Sequence, residues 1–278
     1  MLNTAYSILK DADIESYIID SQLLLMKVLN MDKVGIIMNK DKNIDENYTA
    51  EFLKLIELRK TKMPVKYILK TCEFMGIDFY IEPGVLIPRP DTEILVETVI
   101  DEIRRNEFKK VCDVCTGSGI IGASLAKIID YINVDCSDIS DIAEKVTTKN
   151  IKQLELSNRV KFYKSDLLQF ALDNKQTYDM IISNPPYIKE KFIPTLMEDV
   201  KNYEPHLALS GGIDGLDFYK KITEQSVELL KTGGLLAYEI GCDQKYDVDK
   251  ILCQYGFYNI KCIKDLADKD RVIIGTKK

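Results

Sequence analysis

Apolar positions follow two regimes along this chain. Up to about residue 72 they recur at helical spacing, as at Ile14, Tyr17, Ile18, Leu24, Leu25 and Val28, and again at Phe52, Leu53, Leu55, Ile56 and Leu58. This pattern predicts a small helical bundle, with polar breaks near residues 30–32 and 39–47. The pattern then changes. Residues 73–81 alternate about Gly76 and predict a β-hairpin, after which Pro83, Gly84, Pro88 and Pro90 stiffen the backbone. Short β-branched runs next alternate with longer helical patterns, the order of βαβ units. Strands are expected at 110–115, 131–136, 159–164, 179–182, 235–240, 257–263 and 271–275. A helix to about residue 105 should start under an N-cap supplied by Thr92 or Asp91, and others should cover 120–129, 216–230 and 243–255. The last two strands are joined by a polar connection too short for a crossover, so they should pair antiparallel. The expected organisation is a helical domain over 1–72, a hairpin linker over 73–88 and a seven-stranded α/β domain over 89–278.

The run Met180-Ile181-Ile182 is apolar and uninterrupted, as in a strand buried on both faces of a parallel sheet. Ser183-Asn184-Pro185-Pro186-Tyr187 therefore stands at its carboxyl end, where open α/β sheets hold their ligands. The two prolines fix the backbone and remove two N–H donors, leaving the Pro185 carbonyl to accept a hydrogen bond from outside. The Asn184 side chain adds a second acceptor and two donors. Together they can grip an –NH2 group by both hydrogens, while Tyr187 offers a face for a flat amide or nucleobase. Asn184, Pro185, Pro186 and Tyr187 thus read as a clamp for a planar, weakly nucleophilic amino group.

A second constellation precedes the clamp. The strand containing Asp113 runs into Thr116-Gly117-Ser118-Gly119 and then into a helix that begins with Ile120 and Ile121. Glycines let a ligand approach the backbone, and a helix start presents free N–H groups. Asp113 should set a carboxylate near an ammonium. The following strand leads to Asp138, 19 residues after Gly119, a spacing at which an acid accepts both hydroxyls of a ribose. The third strand ends in Ser165-Asp166, where a carboxylate can accept from an adenine amino group. A nucleoside site on three strand ends, beside an amine clamp on the fourth, describes a methyl donor next to its acceptor.

Composition narrows the classes. A net charge of −6 argues against a large phosphate-binding surface, so no direct nucleic-acid partner is expected. No apolar run approaches the roughly 20 residues of a membrane span, and the first residues do not form a signal peptide, so a cytoplasmic protein is expected. Cys112 and Cys115 form a C-x-x-C without a second pair at zinc spacing and read as small buried strand residues; no metal site is expected. His206 reads as structural. The basic stretch with Lys54, Arg59, Lys60, Lys62, Lys66 and Lys70 reads as a solvated helix face, with contact to an acidic or ribosomal partner as the alternative. Residues 200–215 read as a long polar loop, able to serve as a lid or substrate wall.

With these residues placed, the chain resembles the HemK/PrmC family of protein-glutamine N5-methyltransferases. The resemblance rests on Leu86-Ile87-Pro88-Arg89-Pro90-Asp91-Thr92-Glu93, Thr116-Gly117-Ser118-Gly119, Asp138-Ile139-Ser140, Asn184 to Tyr187, Tyr203-Glu204-Pro205, Gly211-Gly212-Ile213-Asp214-Gly215-Leu216, Glu239-Ile240-Gly241 and Asp270-Arg271-Val272. The Asn-Pro-Pro-Tyr motif alone is shared with methyltransferases acting on nucleobase amino groups, which leaves an RNA or DNA base as the alternative acceptor. The Pro-Arg-Pro-Asp-Thr-Glu and Gly-Gly-Ile-Asp-Gly-Leu stretches are more selective for the glutamine enzymes. The resemblance implies a Rossmann-like class I methyltransferase domain that uses S-adenosylmethionine and releases S-adenosylhomocysteine. It implies that class-I peptide-release factors are the protein substrate and that the helical part recognises them; a monomer is expected. It places the cofactor on Gly117, Ser118, Gly119, Ile120, Ile121 and Asp138, with Asp166 and Leu167 bordering the adenine, and the substrate glutamine on Asn184, Pro185, Pro186 and Tyr187; the position of Asp113, Thr116 and Asn184 beside these residues adds them to the expected cofactor set. The chain departs from the family at Cys115, at Ala143-Glu144-Lys145 and at Leu167.

Overall fold

The computed structural model describes residues 1–39 and 42–278; Lys40 and Asp41, within the polar break expected over 39–47, lie outside the described residues. Helices α1 (Leu2–Asp11), α2 (Tyr17–Leu29), α3 (Lys33–Met38), α4 (Glu46–Lys60) and α5 (Val65–Leu69) form the helical part. Asp32 and Asp45 cap α3 and α4 by accepting from Gly35 N at 2.6 Å and Asn47 N at 2.8 Å. Leu9, Leu24, Phe52 and Ile56, all fully buried, hold these helices around their own apolar cluster. Arg59 departs from the solvated face expected of its basic stretch. Its Nε donates to Asp20 in α2 at 2.7 Å with both side chains buried, because a charge turned inward is tolerated only with a partner.

Strands β1 (Thr71–Phe74) and β2 (Ile77–Tyr80) form the expected hairpin, whose turn residues Met75 and Gly76 both have positive φ, as a two-residue hairpin loop requires. Asn150 ties the hairpin down, accepting from Tyr80 N at 2.8 Å and donating to Tyr80 O at 3.0 Å.

Among the described residues a seven-stranded sheet follows, built from β3 (Lys110–Val114), β4 (Asn133–Asp138), β5 (Val160–Lys164), β6 (Tyr178–Ser183), β7 (Leu230–Glu239), β8 (Phe257–Lys264) and β9 (Asp270–Lys277). Its order is β5-β4-β3-β6-β7-β9-β8, with β9 antiparallel to both of its neighbours. The chain moves outward from β3 through β4 to β5 and in the other direction from β6 to β7. The β3–β6 boundary is therefore the switch point at which such sheets open a crevice. Helices α6 (Asp91–Asn106), α7 (Ile120–Ile128) and α8 (Asp141–Gln153) contribute to the cluster that holds Met180 and Ile182 on one face. On the other face Ile181 lies among residues of α9 (Gln169–Asp173), then, after α10 (Glu198–Tyr203) and α11 (His206–Leu209), of α12 (Asp217–Leu229) and α13 (Lys245–Gln254). Strand β6 is thus buried on both sides, as its unbroken apolar run predicts.

Three local expectations are corrected. Thr92 and Asp91 do not cap α6, which starts after Pro90 without a side-chain cap; the Thr92 hydroxyl is buried and committed elsewhere. Strand β7 begins at Leu230 rather than 235, because pairing made at Tyr178↔Leu230 resumes at Met180↔Leu235 around a bulge. Residues 200–215 are not a free loop: they contain the end of α10 and all of α11, and Ile188 pairs with Ser210. Ile188 N donates to Leu209 O and Gly211 N to Ile188 O, both at 2.9 Å, so this segment is laced to the residue that follows the clamp. Among the described residues no helix is long and apolar enough to cross a membrane.

Candidate active site

Strand β6 delivers Asn184 just beyond its last residue, and Ser183 locks that end by donating to Val114 O of β3 at 2.6 Å. Pro185 and Pro186 are buried, and Asn184 and Tyr187 are half-buried. Two cavities meet here. One, of about 510 Å3, is lined by Asn184, Pro185 and Tyr187 and by Arg59, Pro64 and Lys66 from the helical part. The other, of about 240 Å3, is lined by Asn184 and Pro186 together with Gly117, Asp138, Asp166 and Leu167. Asn184 belongs to both walls.

Behind the clamp lies a buried acid. Glu239, at the end of β7, accepts from the Thr92 hydroxyl at 2.6 Å on one oxygen and from the Tyr187 hydroxyl at 3.2 Å on the other. Asn184 Nδ2 donates to Thr92 Oγ1 at 3.2 Å. Burial pushes the Glu239 carboxyl above the ordinary glutamate range, opposed by its bond from Thr92 and by the Arg271 charge. Burial, with the Glu239 carboxylate next, pushes the Tyr187 phenol well up, so it stays a neutral donor. The Tyr187 backbone is held as well: Gln244 Nε2 donates to Tyr187 O and to Gly215 O, each at 3.1 Å.

The smaller cavity opens over the glycine loop. Asp138 accepts from Gly117 N at 2.9 Å and from Ser140 N at 3.0 Å, one bond per oxygen, which leaves lone pairs for further donors. Its carboxyl is raised by burial, against which these N–H groups work. Gly117 has φ +56° and open space where a Cβ would stand, so its backbone is accessible from the cavity. Cys115 is not a strand residue as expected: β3 stops at Val114, and Cys115, at φ +59°, turns onto the cavity wall. That left-handed turn favours glycine.

Part of the expected cofactor set does not reach this cavity. Asp113 is fully buried and accepts from Thr116 Oγ1 at 2.5 Å and Gly122 N at 3.0 Å on one oxygen, so it braces the loop, while its other oxygen is buried without a partner. Thr116, Ser118, Gly119, Ile120 and Ile121 are likewise buried within the turn and the first turn of α7. A Cβ on Gly119 would stand 2.7 Å from Thr147 Cγ2, which packs the loop against α8. Burial raises the Asp113 carboxyl to about 7. A raised folded-state value stabilises below the unfolded value and is lost as pH rises through the folded one. Wild type should therefore lose about 1.4 kcal/mol per pH unit from this group between roughly pH 4 and 7, the loss levelling off above the folded value. D113N, whose amide oxygen keeps both bonds, should flatten that fall in urea denaturation.

Thr92 and Glu239 were not among the expected site residues. The signal for Glu239 was an acid at the carboxyl end of the apolar run Leu235 to Tyr238, where a buried charge must have partners.

The family description "PrmC N-terminal domain" matches residues 1–69 and "Methyltransferase small domain" matches residues 89–213. A Clostridium botulinum protein named release factor glutamine methyltransferase is 54% identical over 100% of this chain and 98% of its own length. A Clostridium acetobutylicum protein of the same name is 51% identical over 98% and 96%. A methyltransferase from Pyrococcus furiosus, 18% identical over 84% of this chain and 99% of that one, shares the fold with a TM-score of 0.54. The chain belongs to the release factor glutamine methyltransferase family, the HemK/PrmC family that its motifs resemble.

Proposed function

We propose that this chain transfers a methyl group from S-adenosylmethionine to the side-chain nitrogen (N5) of the glutamine in the Gly-Gly-Gln motif of class-I peptide-release factors, in support of translation termination. The observation that carries the reading is Asn184 as the wall common to two cavities, one lined by the glycine loop and Asp138, the other by the clamp and the helical part. The residues of the smaller cavity fit the cofactor: Asp138 has lone pairs for ribose hydroxyls, Asp166 can accept from an adenine amino group, and the Gly117 backbone is open to close approach. When bound, S-adenosylmethionine supplies an electrophilic sulfonium methyl.

An amide nitrogen is a weak nucleophile because its lone pair is delocalised into the carbonyl. The Asn184 Oδ1 and the Pro185 carbonyl accept the two amide hydrogens, which returns density to nitrogen and fixes its direction of approach. Orientation of this kind lowers a barrier by up to roughly 7–11 kcal/mol. The neutral Tyr187 ring bounds the amide plane. No base is needed before transfer, because the N–H becomes acidic only once nitrogen carries the methyl; the proton then leaves to water.

Mass spectrometry of a class-I release factor incubated with the protein and S-adenosylmethionine tests the reading. One methyl on the Gly-Gly-Gln glutamine is expected; transfer to ribosomal RNA or DNA instead would overturn it. D138A should weaken cofactor binding about 30-fold in titration calorimetry, since a hydrogen bond to a charged acceptor contributes roughly 1.5–3 kcal/mol.

A further inference from the structure

The hydrogen-bond chain behind the clamp has a direction. Glu239 is buried at 2% exposure and takes one hydroxyl on each carboxylate oxygen, Thr92 at 2.6 Å and Tyr187 at 3.2 Å, while the Tyr219 hydroxyl donates to its backbone carbonyl at 2.9 Å. As a carboxylate it can only accept. Thr92 has a single hydroxyl hydrogen, and giving it to Glu239 leaves Thr92 Oγ1 able only to accept from its other neighbour. That neighbour is the Asn184 side chain, at 3.2 Å. Of the two ends of the Asn184 amide, only the NH2 can satisfy Thr92, and the carbonyl oxygen must then face away from it. The orientation of an asparagine amide is ordinarily settled only by such a network.

We propose that Glu239 is a positioning and specificity-determining residue, whose carboxylate acts through Thr92 to present the Asn184 oxygen to the acceptor and so sets the clamp to take an –NH2 group rather than a carboxylate. This rests on the glutamine reading above and names the feature that separates glutamine from glutamate. An Asn184 held the other way round would offer two N–H donors, which suit a carboxylate oxygen. In E239Q the new side-chain amide can donate to Thr92, freeing its hydroxyl to donate to Asn184 and the Asn184 amide to turn over. T92V removes the relay and leaves Glu239 in place. T92S retains the hydroxyl.

The test compares full-length wild type, E239Q, T92V and T92S on a release factor carrying its Gly-Gly-Gln glutamine and on the same factor with glutamate there. Turnover is followed by mass spectrometry, and binding is measured in the presence of S-adenosylhomocysteine. Wild type should methylate the glutamine factor and bind it at least tenfold more tightly than the glutamate factor. E239Q should lose about 30-fold in kcat with KM for S-adenosylmethionine changed little, and should lose most of its preference for glutamine. T92V should do the same, and T92S should recover the preference that T92V loses. A fall in rate with the preference intact would make Glu239 a packing residue and overturn the proposal, as would a wild-type preference in E239Q or, should E239Q not fold, in T92V. Wild type that leaves the glutamine unmethylated would instead overturn the functional reading and this inference with it.

Discussion

Asn184→Ala is expected to lower kcat for release-factor methylation about 1000-fold, with cofactor affinity within a few-fold of wild type. Removing one well-placed polar group from a reacting centre typically costs 10²–10³ in kcat. Here the group has two roles: it accepts from the amide and it separates the cavities of about 510 and 240 Å3. The effect should appear in kcat because the other lining residues, from Arg59 and Lys66 to Leu196 and Val200, remain to bind the protein substrate. Cofactor binding should survive because Asp138 and Gly117 are held by their own bonds. Single-turnover mass spectrometry and calorimetric titration separate the two. Loss of cofactor affinity equal to the loss of rate would show that Asn184 serves mainly as a cofactor contact.

How much of this could be read from the residues depends on how local each constraint is. Burial on both faces writes itself into β6 as an unbroken apolar run, and the prolines after it announce where the strand stops. The acid at Asp138 follows from a spacing along one βαβ unit. The partners of Thr92 follow from nothing local: its hydroxyl answers to Glu239, 147 residues later, and an N-cap was the cheaper reading of the same Pro-Asp-Thr-Glu letters. Arg59 was hidden in the same way by an Asp20 that lies 39 residues earlier. The glycine loop shows a different limit. Its residues are recognisable because the turn requires them, yet Asp113, Thr116 and Gly119 meet that requirement by folding inward, and only Gly117 and Cys115 of the stretch line the cavity.

Gly211 and Gly215 should prove as important to the clamp as residues within it. A Cβ on Gly211 would stand 2.7 Å from Tyr187 Cα, 2.8 Å from Pro186 O and 2.9 Å from Gly215 O, all backbone atoms. One on Gly215 would stand 2.5 Å from Tyr187 O, at a residue whose φ is +77°. Backbone cannot rotate aside as a side chain does, so the clamp segment itself must move. Gly215→Ala is expected to cost about 3 kcal/mol, from a left-handed residue at roughly 1–2 kcal/mol and overpacking at 1–3 kcal/mol. The melting temperature should fall by about 6–10 °C. Displacing Tyr187 by a fraction of an ångström to one ångström should also lower kcat about 100-fold. Gly76→Ala supplies the control: its φ of +70° is similar, but a Cβ there meets nothing within 4 Å. It should cost about 1 kcal/mol and leave kcat unchanged. Differential scanning calorimetry and turnover on both variants decide the matter. Equal losses in the two would mean that the left-handed backbone, and not contact with Tyr187, is what Gly215 provides. A larger loss in Gly215→Ala would mean that the segment over residues 200–215 serves as a fixed buttress, holding the carbonyl of Tyr187 and through it the plane in which the acceptor amide must lie.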